Sequence, residues 1–123
     1  MAVPARQSGA NWPKNRWSAQ GDLLIRQTTP TDGIWQPVEG FWPLTVIVGG
    51  TATSFSAELL VCNAIARPAD SDNAWPSLQT FRAPAVRTYS TPLYWIKLRL
   101  TAITVAGGDQ GISANYQAAG QGS

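Results

Sequence analysis

Tyr94-Trp95-Ile96-Lys97-Leu98-Arg99-Leu100-Thr101-Ala102 alternates its side chains along nearly its whole length. Tyr94, Ile96, Leu98, Leu100 and Ala102 fall on one face of an extended chain; Trp95, Lys97, Arg99, Thr101 and Ile103 fall on the other. Such a period of two predicts a β-strand from Tyr94 to Ala106, with one face in the core and the other largely wet. The Gly107-Gly108-Asp109 turn follows, and Ile112, Ala114 and Tyr116 alternate again. A hairpin between the last two strands is therefore expected.

Upstream, short apolar runs separated by turn residues give the pattern of an all-β sandwich or barrel. Leu23 to Gln27 is a candidate first strand, ended by the Thr28 to Gly33 turn, and Ile34-Trp35-Gln36 is a short second one. Leu44 to Val48 is β-branched and apolar on both faces, which predicts a central strand, with Gly49-Gly50 as its turn. Phe55 to Ala64 fits two periods. Phe55, Ala57, Leu59 and Val61 alternate, while Phe55, Leu59, Cys62 and Ala66 trace a helical stripe; the strand is preferred because no N-cap pairing precedes the run. Ala66 to Ser77 reads as a loop, and Gln79 to Arg82 and Ala85 to Tyr89 as edge-type strands broken by Pro84. Three segments result: an extended N-terminal arm over residues 1–21, one sandwich domain over 22–119, and a frayed tail over 120–123.

Composition limits the function classes. With 123 residues the chain can bury roughly two-thirds of the surface its unfolded form exposes, and so can support a core without staples. One cysteine, Cys62, lies in an apolar run and reads as a small buried hydrophobe. Charged residues are 13% of the chain and the formal net charge is +2, too small and too spread a surplus to point to nucleic acid. Residues 1–21 contain Arg6, Lys14 and Arg16 but no apolar run, so they do not read as a secretory signal. The longest apolar stretches fall far short of the ~20 residues a membrane span needs. The expected product is soluble and made in the cytoplasm of its host, with no membrane partner.

The chemistry is mostly negative. There is no histidine, which removes the commonest general base and the commonest metal ligand together. Lys14 and Lys97 sit in no recognisable serine-activating motif. Asp70-Ser71-Asp72-Asn73 starts like a calcium loop, but Ala74-Trp75 replaces the next ligand and the glycine. A solvated turn is the preferred reading there, although a glycosidase would need only two carboxylates. No catalytic residue, cofactor or metal is expected, and the chain is expected not to be an enzyme.

Tryptophan is what stands out, at six in 123 residues: Trp12, Trp17, Trp35, Trp42, Trp75 and Trp95. About half can be accounted for as plugs at the ends of a sandwich. The rest suggest a recognition surface, since Trp and Arg dominate interface energetics. The candidate protein-interface residues are Trp12, Arg16, Trp17, Trp35, Trp42, Trp75 and Trp95.

The Asn73-Ala74-Trp75-Pro76-Ser77-Leu78 loop, the Tyr94 to Ala102 strand, the Gly-rich turn and Ile112 to Tyr116 together resemble the small β-sandwich structural proteins of tailed bacteriophages. The resemblance covers roughly Val46 to Ala119 and is greatest to capsid decoration, or cement, proteins. It implies a single jelly-roll-like β-sandwich, often a homotrimer, seated on the outer face of the major capsid lattice, with the major capsid protein as partner and the virion as location. No binding motif comes with it, so the interface residues above rest on their chemistry alone. Two alternatives remain: a carbohydrate-binding module of a phage fibre using Trp35, Trp42 or Trp75 as a sugar platform, and a minor tail or baseplate protein.

Overall fold

A computed structural model of the chain describes residues 18–119. The strands are β1 (Ser18–Gln27), β2 (Gln36–Pro37), β3 (Leu44–Thr51), β4 (Ser54–Cys62), β5 (Ser77–Phe81), β6 (Ala85–Tyr89), β7 (Trp95–Thr104) and β8 (Gly111–Ala119). The described residues contain no helix, so the two-period ambiguity of the Phe55 run resolves as the β4 strand. Two antiparallel sheets face each other, with orders β1-β8-β3-β6 and β2-β7-β4-β5. Their pairings nest: β4 with β5, β3 with β6, β2 with β7 and β1 with β8. A long folded hairpin wrapped into two sheets gives this pattern, the double-sheet jelly roll. Its free edges are β1 and β6 in one sheet and β2 and β5 in the other. The two strands that read as edge-type are therefore edges, and the strand apolar on both faces, β3, is central.

The core is filled by alternate residues of facing strands. Leu44, Val46 and Val48 of β3 and Ala114, Tyr116 and Ala118 of β8 oppose Ala57 and Leu59 of β4 and Ile96, Leu98 and Leu100 of β7. Burying each large side chain stabilises the fold by about 1.5–3 kcal/mol before ordering costs.

Four local expectations change. The final two strands do not form a hairpin, because β8 pairs with β1 and β3 while β7 pairs with β2 and β4. The link between them is an inter-sheet corner, held by Asp109 N donating to Ala106 O at 3.0 Å, Ala106 N donating to Asp109 Oδ2 at 2.8 Å, and Gln110 N donating to Thr51 Oγ1 at 2.7 Å. Gly49 and Gly50 lie within β3 and continue its ladder with β8. A register shift between Ser56 and Ala57 leaves Thr101 without an opposite residue. Beyond this bulge the alternation inverts: Ile103 packs on the core and Ala102 is exposed. Finally, β1 begins at Ser18, with Ala19 buried, so residues 18–21 belong to the sheet. A shift between Asp22 and Leu24 turns both Leu23 and Leu24 inward and leaves Ile25 exposed. The rest of the arm (1–17) and the tail (120–123) lie outside the described residues.

Candidate functional site

Three tryptophans meet on the outer face of β2-β7-β4-β5. Trp95, Lys97 and Arg99 of β7 stand directly opposite Cys62, Leu60 and Glu58 of β4 on that face. Over them fold two connections: residues 28–35, leading into β2, and residues 63–76, between β4 and β5. The first approaches β7 closely. Thr31 exchanges both backbone hydrogen bonds with Leu100, at 2.9 and 2.8 Å. Gly33, at φ 73°, passes so near β7 that a Cβ there would lie 2.3 Å from the Leu98 carbonyl oxygen. Only glycine fits such a backbone approach. The chain then delivers Trp35 onto the sheet, where it packs with Leu60 and Cys62 as a second apolar cluster.

The longer loop closes over Trp35. The Trp35 indole nitrogen donates to Ala69 O at 3.0 Å, and its backbone nitrogen donates to Asp70 Oδ1 at 3.1 Å. Arg67 bridges Trp35 O, at 3.3 Å, and Asp70 Oδ1, at 2.8 Å. Trp75 meets Trp35 edge-on, with ring centroids 6.5 Å apart, and its indole nitrogen donates to Asp72 Oδ2 at 3.1 Å. Trp95 donates to Ile65 O at 3.1 Å, with the Arg67 guanidinium 6.0 Å from its ring centre. Asp70-Ser71-Asp72-Asn73 is therefore a turn, as expected. Its carboxylates are engaged in fixing the loop, Asp70 through Oδ1 and Asp72 through both oxygens.

Lys97 lies beneath this loop with none of its surface exposed. Its ammonium donates to Asp70 O at 2.7 Å and to Asn73 Oδ1, and stands 5.2 Å from the Trp35 ring centre. Loss of water pushes its pKa down, against the opposing pull of Asp32 and, more weakly, Asp70 and Asp72. Asp32 completes the group. Arg99 Nε donates to its Oδ1 at 3.0 Å and Asn73 Nδ2 to its Oδ2 at 3.5 Å, and these bonds hold its carboxyl below the usual carboxylate range. The polar face of β7, expected to be largely wet, is instead roofed.

The tryptophans nominated from sequence thus separate. Trp35 is 1% exposed and serves as an anchor of the second core, so it does not present a docking surface. Trp75 and Trp95 are half-buried, with their indole nitrogens satisfied internally. Trp42 is 38% exposed and precedes Pro43 through a cis peptide bond. Pro43 O accepts from Ala119 N at 3.1 Å, and Ala119 pairs with Ser18. This places Trp42 at the end of the sandwich where the chain enters from residues 1–17. Trp12, Arg16 and Trp17 lie outside the described residues.

Composition and spacing did not reveal the Lys97, Asn73 and Asp32 group, whose members are far apart in sequence. The only signal was a lysine between apolar residues in the strongest strand. On the opposite sheet an open groove of about 420 Å³ runs between Gln20, Asp22, Thr45, Ile47, Asn115 and Gln117. Beside it Ile47 and Val86 form an exposed cross-strand pair. Among the described residues no cluster of three or more Cys, Asp or Glu is placed to hold a metal ion.

No protein family and no curated protein matches the chain in sequence. Among solved structures, the crystal structure of SPBc2 prophage-derived protein YomS is similar, with a TM-score of 0.57 at 14% identity. The match covers 82% of this chain and 91% of that one. At this identity the likeness is one of fold.

Proposed function

We propose that the chain is a non-enzymatic structural protein of a bacteriophage virion, a capsid decoration protein that binds the outer face of the major capsid lattice and stabilises it. The observation that carries this reading is the jelly-roll sandwich shared in outline with a prophage-derived protein. An exposed Trp42 at the end where residues 1–17 enter also supports it, because that segment brings Trp12, Trp17, Arg6, Lys14 and Arg16 and no acidic residue. Aromatic anchors beside arginine are the usual carriers of interface energy. The mechanism is mass action. A subunit that binds only the assembled lattice stabilises it, and a homotrimer touching several capsomers multiplies a weak contact by multivalency.

Copy number tests the assignment. Quantitative mass spectrometry of purified particles should find the chain in fixed proportion to the major capsid protein. A few copies per particle would place it instead in the tail or baseplate. Absence from particles, with binding of the isolated domain to a glycan array, would favour the carbohydrate-binding alternative, for which Trp42 is the most exposed platform among the described tryptophans.

A further inference from the structure

We propose that Lys97 and Asn73 join as an intramolecular isopeptide cross-link: Nζ of Lys97 attacks Cγ of Asn73, the Cγ–Nδ2 bond breaks, and the side-chain nitrogen leaves as ammonia. Atoms and charge balance without any oxidant or cofactor. An ammonium and a primary amide become a secondary amide and an ammonium ion. The step occurs once per chain and is chemistry the fold performs on itself.

The geometry supplies what an uncatalysed amine and amide lack. Lys97 Nζ donates to Asn73 Oδ1, so the nucleophile already rests against the group it attacks. Holding two reactants this way replaces a bimolecular encounter by an intramolecular one, which is worth many powers of ten in effective concentration. Burial supplies the second element. Lys97 is fully covered by Trp35 and the 63–76 loop, and desolvation favours its neutral, nucleophilic form. Asp32 supplies the third, because its Oδ2 accepts from the very nitrogen that must depart. Arg99 keeps that carboxyl ionised and in place, so its negative charge favours passage of a proton from the attacking Nζ to the departing Nδ2, which leaves as the cationic ammonium. The orientation of the amide is fixed from both sides: a donor, Lys97, faces its oxygen, and an acceptor, Asp32, faces its nitrogen. The product ties the 63–76 loop to β7 and closes a covalent loop spanning 24 positions, the kind of staple a particle surface exposed to mechanical and proteolytic attack can use.

The test is the intact mass of the full-length chain under denaturing conditions. The expected result is a mass one ammonia lighter than the sequence requires, with Lys97 resistant to trypsin and a branched peptide containing both Asn73 and Lys97 in the digest. Lys97→Met should restore the sequence mass, and Asp32→Asn, a change at an exposed side chain, should slow the loss. A wild-type chain at its full sequence mass would overturn the proposal whether or not the variants fold. So would an ammonia loss that persists in Lys97→Met, which would mark a succinimide at Asn73 instead.

Discussion

Tyr116 belongs to the core of β8, yet its phenol donates to Pro37 O of β2 at 2.6 Å and so ties one sheet to the other. Burial, reinforced by the charge of Glu39, pushes its pKa up to about 12. The direction of the consequence follows from proton counting. Above pH 10 the unfolded chain loses this proton and the folded one keeps it, so stability falls as pH rises from 10 toward 12, by on the order of 2 kcal/mol. Tyr89, raised by burial and donating to Gln79, adds to the same alkaline limb. Tyr116→Phe should cost about 1–2 kcal/mol at neutral pH, because the Pro37 carbonyl loses its donor. It should also flatten, without abolishing, the decline above pH 10; urea midpoints measured across pH 7 to 11 check both. Single residues were also where the sequence was least informative. Trp35 and Lys97 look like surface chemistry by type, and their burial is decided by a loop more than twenty residues away that returns to cover them. Nothing local to either residue announces that cover.

At the level of elements, the β3–β8 ladder contains a contact that depends on one glycine. Gly50 adopts φ 115°, and a Cβ on it would lie 2.1 Å from the Gly111 carbonyl oxygen, whereas at Gly49 nothing lies within 4 Å. Gly50→Ala should therefore destabilise by about 2–4 kcal/mol, combining an unfavourable φ with displacement of β8. Gly49→Ala, next to it, should stay within ~0.5 kcal/mol of the parent. Chemical denaturation of the pair separates a backbone approach from a mere turn glycine. This contrast also shows what made strands legible and their partners not. Alternation and β-branching located β3, β4, β7 and β8, because those patterns are set by the two faces of each strand. Partner choice is set by which edges meet after the sheets stack. A glycine pair such as Gly49-Gly50 has the composition of a turn wherever it falls, and a tight loop such as 107–109 serves a hairpin or an inter-sheet corner equally well. The bulges at Thr101 and beside Leu23 follow from the same limit, since they are imposed by the opposing strand.

For the whole molecule, the nested pairing makes the two ends of the described chain mutually dependent. Ser18 pairs with Ala119, and β8 lies between β1 and β3, so one sheet cannot close until the last strand arrives. Such non-local closure places folding in the millisecond-to-second range expected of all-β sandwiches. It also fixes where the leading segment can be cut. A chain starting at residue 18 keeps every ladder pair given above, while one starting at 21 would lose Ser18↔Ala119, Ala19↔Ala118 and Gln20↔Gln117 together with the buried Ala19. Deleting residues 1–17 should therefore leave the thermal midpoint within a few degrees of the parent, whereas ending the chain at residue 110 should abolish cooperative unfolding because β8 is gone. If the leading tryptophans and basic residues grip the lattice as proposed, the same 1–17 deletion should sharply lower occupancy on purified particles at matched protein concentration. Full occupancy by that stable truncation would move the grip to the sandwich itself, where Trp42 and the Ile47 and Val86 pair would be the next surfaces to mutate.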